Sequence, residues 1–121
     1  MLPRHLFRCP CCGFPTLSER SSWKICNVCW WEDDGQDDPK ANDVWGGPNG
    51  KHSLSAARAN FFSHGHMYDR GKGIQVVERP SPERSSLLAY VRGVLDGQEA
   101  LDDGKLQRMI NADRKARDRA E

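Results

Sequence analysis

The chain places all five of its cysteines within twenty-one consecutive residues, and this clustering limits what it can fold into. Four of them form two CxxC pairs, Cys9 with Cys12 and Cys26 with Cys29, which are separated by thirteen residues. A CxxC turn brings two thiolates onto one ion at about 2.3 Å from each sulfur, and four thiolates complete a closed tetrahedral zinc site. The spacing therefore predicts zinc as a structural cofactor, with these four cysteines as its ligands.

The first pair lies in the string CPCCG, which also contains a CxC spacing between Cys9 and Cys11. The CxxC pairing is favoured because Pro10 presets the turn and Gly13 can adopt the positive φ that follows such a knuckle. We expect the leftover Cys11 to pack as a small apolar side chain, since no base stands at a catalytic spacing from it. The alternative for the whole cluster is a set of free or redox-active cysteines. A thioredoxin-like site is disfavoured because no βαβ pattern surrounds the cysteines.

Composition explains why a metal would matter to this chain. It has 121 residues, of which only 37% are apolar, so we expect one small domain with a thin hydrophobic core. The 18 basic and 17 acidic side chains give a net charge of +1, which argues against general binding to nucleic acid or to an anionic membrane. No apolar run has the length of a signal peptide or a membrane span. We therefore expect a cytoplasmic protein, in which paired cysteines favour a metal over disulfides.

The sequence pattern predicts an α+β fold that begins with a zinc-ribbon or knuckle module. We expect residues 16–17 and 23–25 to form a β-hairpin around a turn at residues 18–22. Ser53 is the expected N-cap of a covering helix. Its apolar stripe would comprise Leu54, Ala57, Phe61 and Phe62. Arg58 and Asn60 would lie on the opposite side, in solvent or against a partner.

The C-terminal third predicts a helical hairpin. Residues 74–77 could form a short strand, and Ser81 followed by Pro82 is the start signal of a helix that ends near Gly97. A second helix should begin near Asp103, with a charged tail that frays or protrudes. We expect residues 1–69 to be the zinc module and residues 70–121 a helical extension packed on it as one structural unit. The alternative for the hairpin is a partner-binding or dimerising face.

Four strings in this order, CPCCG, ICNVCWWEDDGQDD, GGPNG and SLSAARANF, resemble the bacterial cysteine-rich CPCC domain. The resemblance covers about residues 8 to 65. Two residues depart from the family pattern, Asn27 where proline is usual and Trp30 where another aromatic is common, and neither removes a ligand. The resemblance implies a small metal-binding domain with no defined reaction, of a kind that occurs in bacterial toxin and immunity settings.

Residues 32–43 hold six acidic side chains and one lysine, a net charge of −5. We predict that Asp33, Asp34, Asp37 and Asp38 form a surface that binds a basic partner, and that replacing all four by asparagine leaves folding intact. A calcium loop is disfavoured because DDGQDDP lacks the alternating DxDxDG ligands and the glutamate at position twelve. A solvated turn whose aspartates cap backbone amides remains the alternative.

His64 and His66 form an HxH pair at the end of the covering helix. Two imidazoles at this spacing can share a metal ion when they project from a strand. A loop after a helix is a poor scaffold for such a site, and no third ligand stands at a convincing spacing. We therefore expect a helix terminated by glycine, with exposed histidines, rather than a second metal site.

These features predict a non-enzymatic zinc-binding module for protein–protein interaction. No nucleophile, base and orienting group stand at credible spacing, so no catalytic residue is expected. The setting of the family suggests an immunity protein that neutralises a bacterial toxin with a basic surface. The alternative is a zinc ribbon that binds nucleic acid. In that case tryptophans would stack on bases and basic side chains would contact phosphates, and the candidates are Trp23, Trp45, Arg4, Arg8, Arg20 and Lys24.

Overall fold

A computed structural model of the chain describes residues 6–71 and 73–120. The elements in chain order are β1 (Phe7–Arg8), β2 (Pro15–Leu17), α1 (Leu54–His64), α2 (Gln75–Glu78), α3 (Pro82–Leu95) and α4 (Asp103–Ala120), with 3-10 turns at Asp38–Lys40 and Gly47–Asn49. The chain divides into two compact units, Met1–Lys72 and Gly73–Glu121. None of the helices in the described ranges has the length and apolarity needed to cross a bilayer. The packing of residues 70–121 on the zinc module stays a prediction.

The first CxxC pair lies in a turn between two short strands. β1 pairs with β2 in antiparallel orientation, with Phe7 opposite Leu17. The turn between them is closed by hydrogen bonds from Cys9 N to Phe14 O (2.9 Å) and from Gly13 N to Cys9 O (2.8 Å). Gly13 has a φ of 80°, as expected for the residue after the knuckle.

The second CxxC pair lies in a similar turn. Cys26 N donates to Trp31 O (2.8 Å), and Ile25 forms an antiparallel bridge with Glu32. The expected hairpin between residues 16–17 and 23–25 is therefore wrong, because each of these segments pairs across its own CxxC turn. A knuckle reverses the chain within a few residues, so the nearest available partner is the other arm of the same turn.

Helix α1 begins and ends as the sequence predicts. The Ser53 hydroxyl accepts a hydrogen bond from Ala56 N (3.0 Å), and Gly65 closes the helix with a φ of 89°. The stripe of Leu54, Ala57 and Phe61 is buried. The inclusion of Phe62 in that stripe is wrong, since this side chain is 65% exposed. A residue directly after Phe61 lies about 100° further around the helix and leaves the buried face.

The polar side of α1 is tied to the rest of the first unit. Arg58 Nε donates to Pro10 O (2.8 Å), within the first knuckle. Asn60 Nδ2 donates to Met67 O (2.8 Å). The two side chains are therefore not simply solvated, and a partner contact at these positions stays a prediction. Because long polar side chains can reach backbone acceptors beyond their own helix, helical position alone did not reveal these bonds.

The core of the first unit is small and lies between α1 and the two knuckles. The rings of Phe14 and Phe61 meet edge to face, with centroids 6.4 Å apart. Its completely buried apolar side chains are those of Leu17, Cys26, Val28, Cys29, Trp31, Leu54 and Ala57. Two cysteines thus belong to the innermost layer of the unit, so whatever they bind is part of the core.

The second unit contains the predicted helical hairpin. The Ser81 hydroxyl accepts from Arg84 N (3.0 Å), which confirms the helix start. The loop between α3 and α4 is held by Tyr90, whose hydroxyl accepts from Asp102 N (2.8 Å) and donates to Ala100 O (3.1 Å). The expected strand at residues 74–77 is wrong. Residues 75–78 instead form α2, and in the described part of the chain no strand pairs with them.

A buried ion pair lies between α3 and α4. Arg84 Nη1 contacts Asp113 Oδ2 at 3.3 Å, and the two side chains are 3% and 1% exposed. Arg117 Nε lies 3.5 Å from the same carboxylate oxygen. The tail does not fray at Asp113, since α4 continues to residue 120 and Asp113 is part of the interhelical contact. Protrusion of the last turns stays a prediction.

The buried pair makes the hairpin sensitive to the loss of one charge. Asp113→Ala should lower the free energy of unfolding by about 3–5 kcal/mol, because Arg84 would remain buried without its counter-charge. Asp118→Ala, on an exposed position of the same helix, should change it by no more than about 0.5 kcal/mol. Urea unfolding followed by circular dichroism measures both. Equal stability of the two variants would show that the pair contributes little to the hairpin.

Candidate metal centre

The two knuckles bring four cysteine sulfurs to one place. The Sγ atoms of Cys9, Cys12, Cys26 and Cys29 all lie within 4.8 Å of one another. Cys9 Sγ is 3.6 Å from Cys29 Sγ, and Cys12 Sγ is 3.6 Å from Cys26 Sγ. Four sulfurs placed tetrahedrally at about 2.3 Å from one ion are separated by about 3.8 Å. The spacing of the thiols therefore fits a shared metal ion, which the four cysteines could hold.

Backbone amides help to place the sulfurs. Three of the four sulfurs accept a hydrogen bond from the amide two residues later in the chain. These bonds run from Cys11 N to Cys9 (3.4 Å), from Phe14 N to Cys12 (3.5 Å) and from Val28 N to Cys26 (3.4 Å). The Thr16 hydroxyl also donates to Cys26 Sγ (3.0 Å). Donors aimed at sulfur stabilise the thiolate form, which is the form that binds metals.

Burial makes the cluster incompatible with four free thiolates. Desolvation raises the pKa of the Cys12 and Cys29 thiols well above the ordinary value. Desolvation also acts on Cys26, but hydrogen bonds from Cys12 and the other neighbours outweigh it and lower the pKa of that thiol. The cluster can thus hold one thiolate, at Cys26, while the pKa values of the neighbouring thiols are raised. A cation at the centre would allow all four cysteines to ionise.

The four sulfurs leave no position for a substrate. Cys9 and Cys12 are at most 9% exposed, and Cys26 and Cys29 have no exposed surface. A metal with four thiolate ligands has its tetrahedral positions filled, whereas catalytic zinc keeps one position for water. The arrangement is that of a closed site, which can stabilise the fold but cannot bind a reactant at the metal.

Cys11 lies outside the four-sulfur cluster. Its side chain is only 7% exposed, which confirms the expectation that it packs as a small buried residue. Its proximity contributes to the raised pKa of the Cys29 thiol. Cys11 is therefore a neighbour of the cluster rather than one of the four converging sulfurs.

Asp33 is placed differently from what the sequence predicts. It has no exposed surface, and its carboxylate accepts hydrogen bonds from Arg20 Nε (2.9 Å), Ser21 N (2.7 Å) and Gly35 N (3.2 Å). A direct contact between Asp33 and a partner would require this loop to open. The expectation that asparagine at all four aspartates leaves folding intact is wrong in its premise, since this carboxylate does not face solvent. The counter-charge, Arg20, lies thirteen residues away in sequence and gave no local signal.

The other three aspartates retain accessible surface but also have internal partners. Asp34 accepts from Gln36 N (3.0 Å), and Asp37 accepts from its neighbour Asp38 N (2.9 Å), which confirms that aspartates of this segment cap backbone amides. Asp38 pairs with Arg58 at 2.7 Å. A partner-binding role for these three residues stays a prediction.

Arg20 lowers the pKa of the Asp37 carboxyl through a 2.9 Å hydrogen bond. A carboxyl whose pKa is lower in the folded state stabilises that state above the ordinary aspartate pKa. This contribution is lost as the pH falls through the lowered value. Because the Asp37 side chain is about half exposed, solvent screening keeps the contribution small.

Three residues near the second knuckle adopt a backbone conformation that favours glycine. Ser21, Trp23 and Trp30 have φ values of 58°, 63° and 74°. The left-handed region costs a non-glycine residue about 1–2 kcal/mol, and a bulky side chain is rare there. Contacts must hold this backbone in place, and the bonds of Asp33 to Arg20 and Ser21 N are two of them. Sequence reasoning missed this strain because none of the three positions carries a residue that marks it.

The basic residues proposed for nucleic-acid contact are not uniformly available. Arg20 is held by Asp33 and Asp37, and Arg8 Nη1 donates to Gly13 O (2.7 Å). Lys24 is exposed, whereas Arg4 lies outside the described residues. The two tryptophans of that hypothesis are exposed, Trp23 by 57% and Trp45 by 48%.

The HxH pair packs against the segment that follows α1. Gly65 ends the helix as predicted, and the rings of His64 and His66 lie with centroids 4.4 Å apart. His64 Nε2 contacts Tyr68 O (2.6 Å), and His66 Nδ1 accepts from Tyr68 N (3.2 Å). The expected exposure is wrong for His66, which is buried because the chain turns back over it. Within residues 6–71 and 73–120, the four cysteines are the only group of three or more potential metal ligands that converge.

Comparison with known proteins identifies one family. The family model described as Cysteine-rich CPCC matches residues 7–84. The match extends past the expected limit at residue 65, through α2 and into the first turn of α3. No curated protein and no solved structure matches the chain significantly.

The cluster distinguishes four cysteines from the fifth. Serine at Cys9, Cys12, Cys26 or Cys29 should abolish stoichiometric metal binding, because a hydroxyl is a poor substitute for a thiolate. Cys11→Ser should retain one metal per chain, since its sulfur does not converge with the others. Metal analysis of the purified variants measures this. Equal loss of metal in Cys11→Ser would show that the ligand set is different.

Burial also ranks the aspartates. Asp33→Asn should lower the free energy of unfolding by about 1.5–3 kcal/mol, because it removes charge-assisted hydrogen bonds that hold a strained turn. Asp38→Asn is the matched control. Its side chain is 79% exposed, so its pair with Arg58 should be worth no more than about 1 kcal/mol. Denaturant unfolding of the metal-loaded proteins tests this ranking, and a larger effect at Asp38 would contradict it.

Proposed function

The chain belongs to the cysteine-rich CPCC family, and on this premise we propose that it is a non-enzymatic, zinc-binding module that acts by binding another protein. The observation that carries the proposal is the buried, closed cluster of four cysteine sulfurs. The zinc would be held by Cys9, Cys12, Cys26 and Cys29. When bound, it would supply structural cross-linking rather than a reactive centre.

Zinc is favoured by the chemistry of the donor set. Soft thiolate ligands in a tetrahedral arrangement select zinc or iron over calcium and magnesium, which prefer oxygen. Zinc has no redox chemistry and no geometric preference of its own, so it suits a site whose geometry is set by two knuckles. Iron is the second metal that this donor set accepts, and elemental analysis separates the two.

The role of the zinc is to complete a core that is otherwise small. Metal binding by small zinc modules has an apparent free energy of about 10–16 kcal/mol at neutral pH. This is comparable to the whole stability of an ordinary domain. Joining Cys9 and Cys12 to Cys26 and Cys29 fixes the first knuckle against the second. The surfaces of the unit then acquire a defined geometry.

Protein binding is favoured over catalysis and nucleic-acid binding by the same structure. A closed metal site offers no position for a substrate. A toxin with a basic surface is the partner class that the setting of the family suggests, with Asp34, Asp37 and Asp38 available to attract it. Nucleic-acid binding is the second candidate because Trp23 and Trp45 are exposed. It is disfavoured because Arg20, one of the candidate phosphate contacts, is occupied by the carboxylates of Asp33 and Asp37.

Metal removal tests the zinc part of the proposal. The protein purified without chelator should contain one zinc per chain by native mass spectrometry and elemental analysis. A strong chelator should abolish the folded signals of the first unit, because the four cysteines would no longer be joined by a metal ion. Addition of zinc under reducing conditions should restore them. A metal-free protein with an unchanged spectrum would contradict the proposal.

A further inference from the structure

Four apolar side chains near the second knuckle are exposed to solvent. Trp23, Ile25, Val44 and Trp45 are between 48% and 60% exposed, and we refer to them as the tryptophan patch. We infer that this patch docks a basic segment of a partner protein, one that presents arginine or lysine together with apolar side chains. The inference rests on the proposed function and names the surface and the partner chemistry that the module would use.

Two members of the patch, Trp23 and Trp45, border one loop. Trp23 N donates to Asp33 O (3.0 Å), which places Trp23 opposite the segment that continues into Gly35. A Cβ at Gly35 would lie 4.0 Å from the Trp45 ring and 3.4 Å from Ser21 Oγ, so Trp45 also borders this segment. Large apolar side chains that converge on one loop are typical of recognition surfaces.

The exposure of Trp23 is a fixed feature of the fold. Its φ of 63° is unfavourable for a bulky aromatic residue. Asp33 stabilises the turn that carries Trp23, because its buried carboxylate accepts hydrogen bonds from Ser21 N and Arg20. Strained backbone of this kind is concentrated at functional sites, where the surrounding structure maintains it. Because the backbone of the turn is already ordered, binding at Trp23 would cost little backbone conformational entropy.

The charges around the patch select a basic occupant. Glu32 lies directly opposite Ile25 in the antiparallel bridge, Asp43 precedes Val44, and Asp34 precedes the loop glycine. No ion pair joins these three carboxylates to a cation in residues 6–71 and 73–120. The nearby cations are Lys24, which is exposed, Arg20, which is engaged by Asp33 and Asp37, and Lys40, whose carbonyl accepts from Asp43 N (3.0 Å). Carboxylates without an ion-pair partner attract a basic segment, and the faces of the indoles attract guanidinium and ammonium groups.

The same charges disfavour the other two occupants of such a surface. A single-stranded nucleic acid could stack on Trp23 and Trp45, but its phosphates would approach Glu32, Asp34 and Asp43. A second copy of the chain would bring an identical acidic rim against this one, since a two-fold interface pairs the same patch with itself. A basic protein segment satisfies both the apolar surface and its rim.

A peptide-binding measurement on the zinc-loaded full chain tests the inference. The probe is a fluorescent peptide of alternating arginine and leucine, and the matched control is the same peptide with glutamate in place of arginine. The basic peptide should bind and the acidic one should not. Trp45→Ala should weaken binding of the basic peptide by about tenfold or more, as expected for an aromatic anchor. Phe62→Ala, at an exposed aromatic residue on α1, should leave binding unchanged.

Two further variants separate the anchor from the charges. Trp23→Asn removes the indole but places a residue that tolerates positive φ, so the turn can keep its backbone conformation. It should weaken binding as Trp45→Ala does. Glu32→Gln combined with Asp43→Asn should weaken binding at low salt and have less effect at high salt, because added ions screen exposed charges.

The inference is overturned if the zinc-loaded protein does not bind the basic peptide, or binds it equally well after Trp45→Ala. Binding of oligothymidylate in preference to the basic peptide would assign the patch to nucleic acid. A dimer in light scattering that Trp45→Ala dissociates would assign it to a second copy. Zinc content is measured on every sample. A failure of the proposed zinc site therefore appears as missing metal, and a failure of the docking surface appears with metal in place.

Discussion

The repulsion among four buried thiolates is the constraint on which the rest of this structure depends. The sulfurs of Cys9, Cys12, Cys26 and Cys29 converge in a core with almost no access to water. Desolvation and mutual repulsion oppose the ionisation of more than one of them. A single divalent cation held by the four sulfurs would reverse this balance, because it would compensate the charge of all four thiolates. Knuckle turns, amide donors and the covering helix all serve to place the sulfurs around that point.

The buried carboxylate of Asp33 links the segment after the second knuckle to the turn that carries Trp23. Asp33 lies two residues after the completely buried Trp31 and binds Arg20 and Ser21 N. This carboxylate holds the strained turn that presents Trp23. The segment that looks most acidic in sequence thus has two parts. One aspartate organises the loop from inside, and the others, with Glu32 and Asp43, set the charge of its surface.

Sequence reasoning succeeded where the signal is local and failed where the partner is distant. The cysteine spacing, the Ser53 and Ser81 caps and the terminating Gly65 depend on neighbours within a few residues, so their patterns can be read directly. Other features depend on contacts with residues that are distant in sequence and leave no local pattern. They are the pairing of β2 with β1, the burial of Asp33 and the burial of Asp113. A charged side chain reads as exposed until its buried counter-charge is located. Of the proposed docking surface the sequence indicated only the two tryptophans, because the strained backbone around them is a property of the fold.

X-ray absorption spectroscopy at the zinc edge, on the protein purified without added metal, tests whether one zinc ion is bound by four thiolates. Four thiolate ligands should give a first coordination shell of four sulfur atoms at about 2.3 Å, with no nitrogen or oxygen ligand. The same spectrum should be obtained from Cys11→Ser, whose sulfur lies outside the cluster. A shell that contains nitrogen or oxygen, or the absence of a zinc signal from the folded protein, would contradict the claim that four thiolates and one zinc ion hold this fold together.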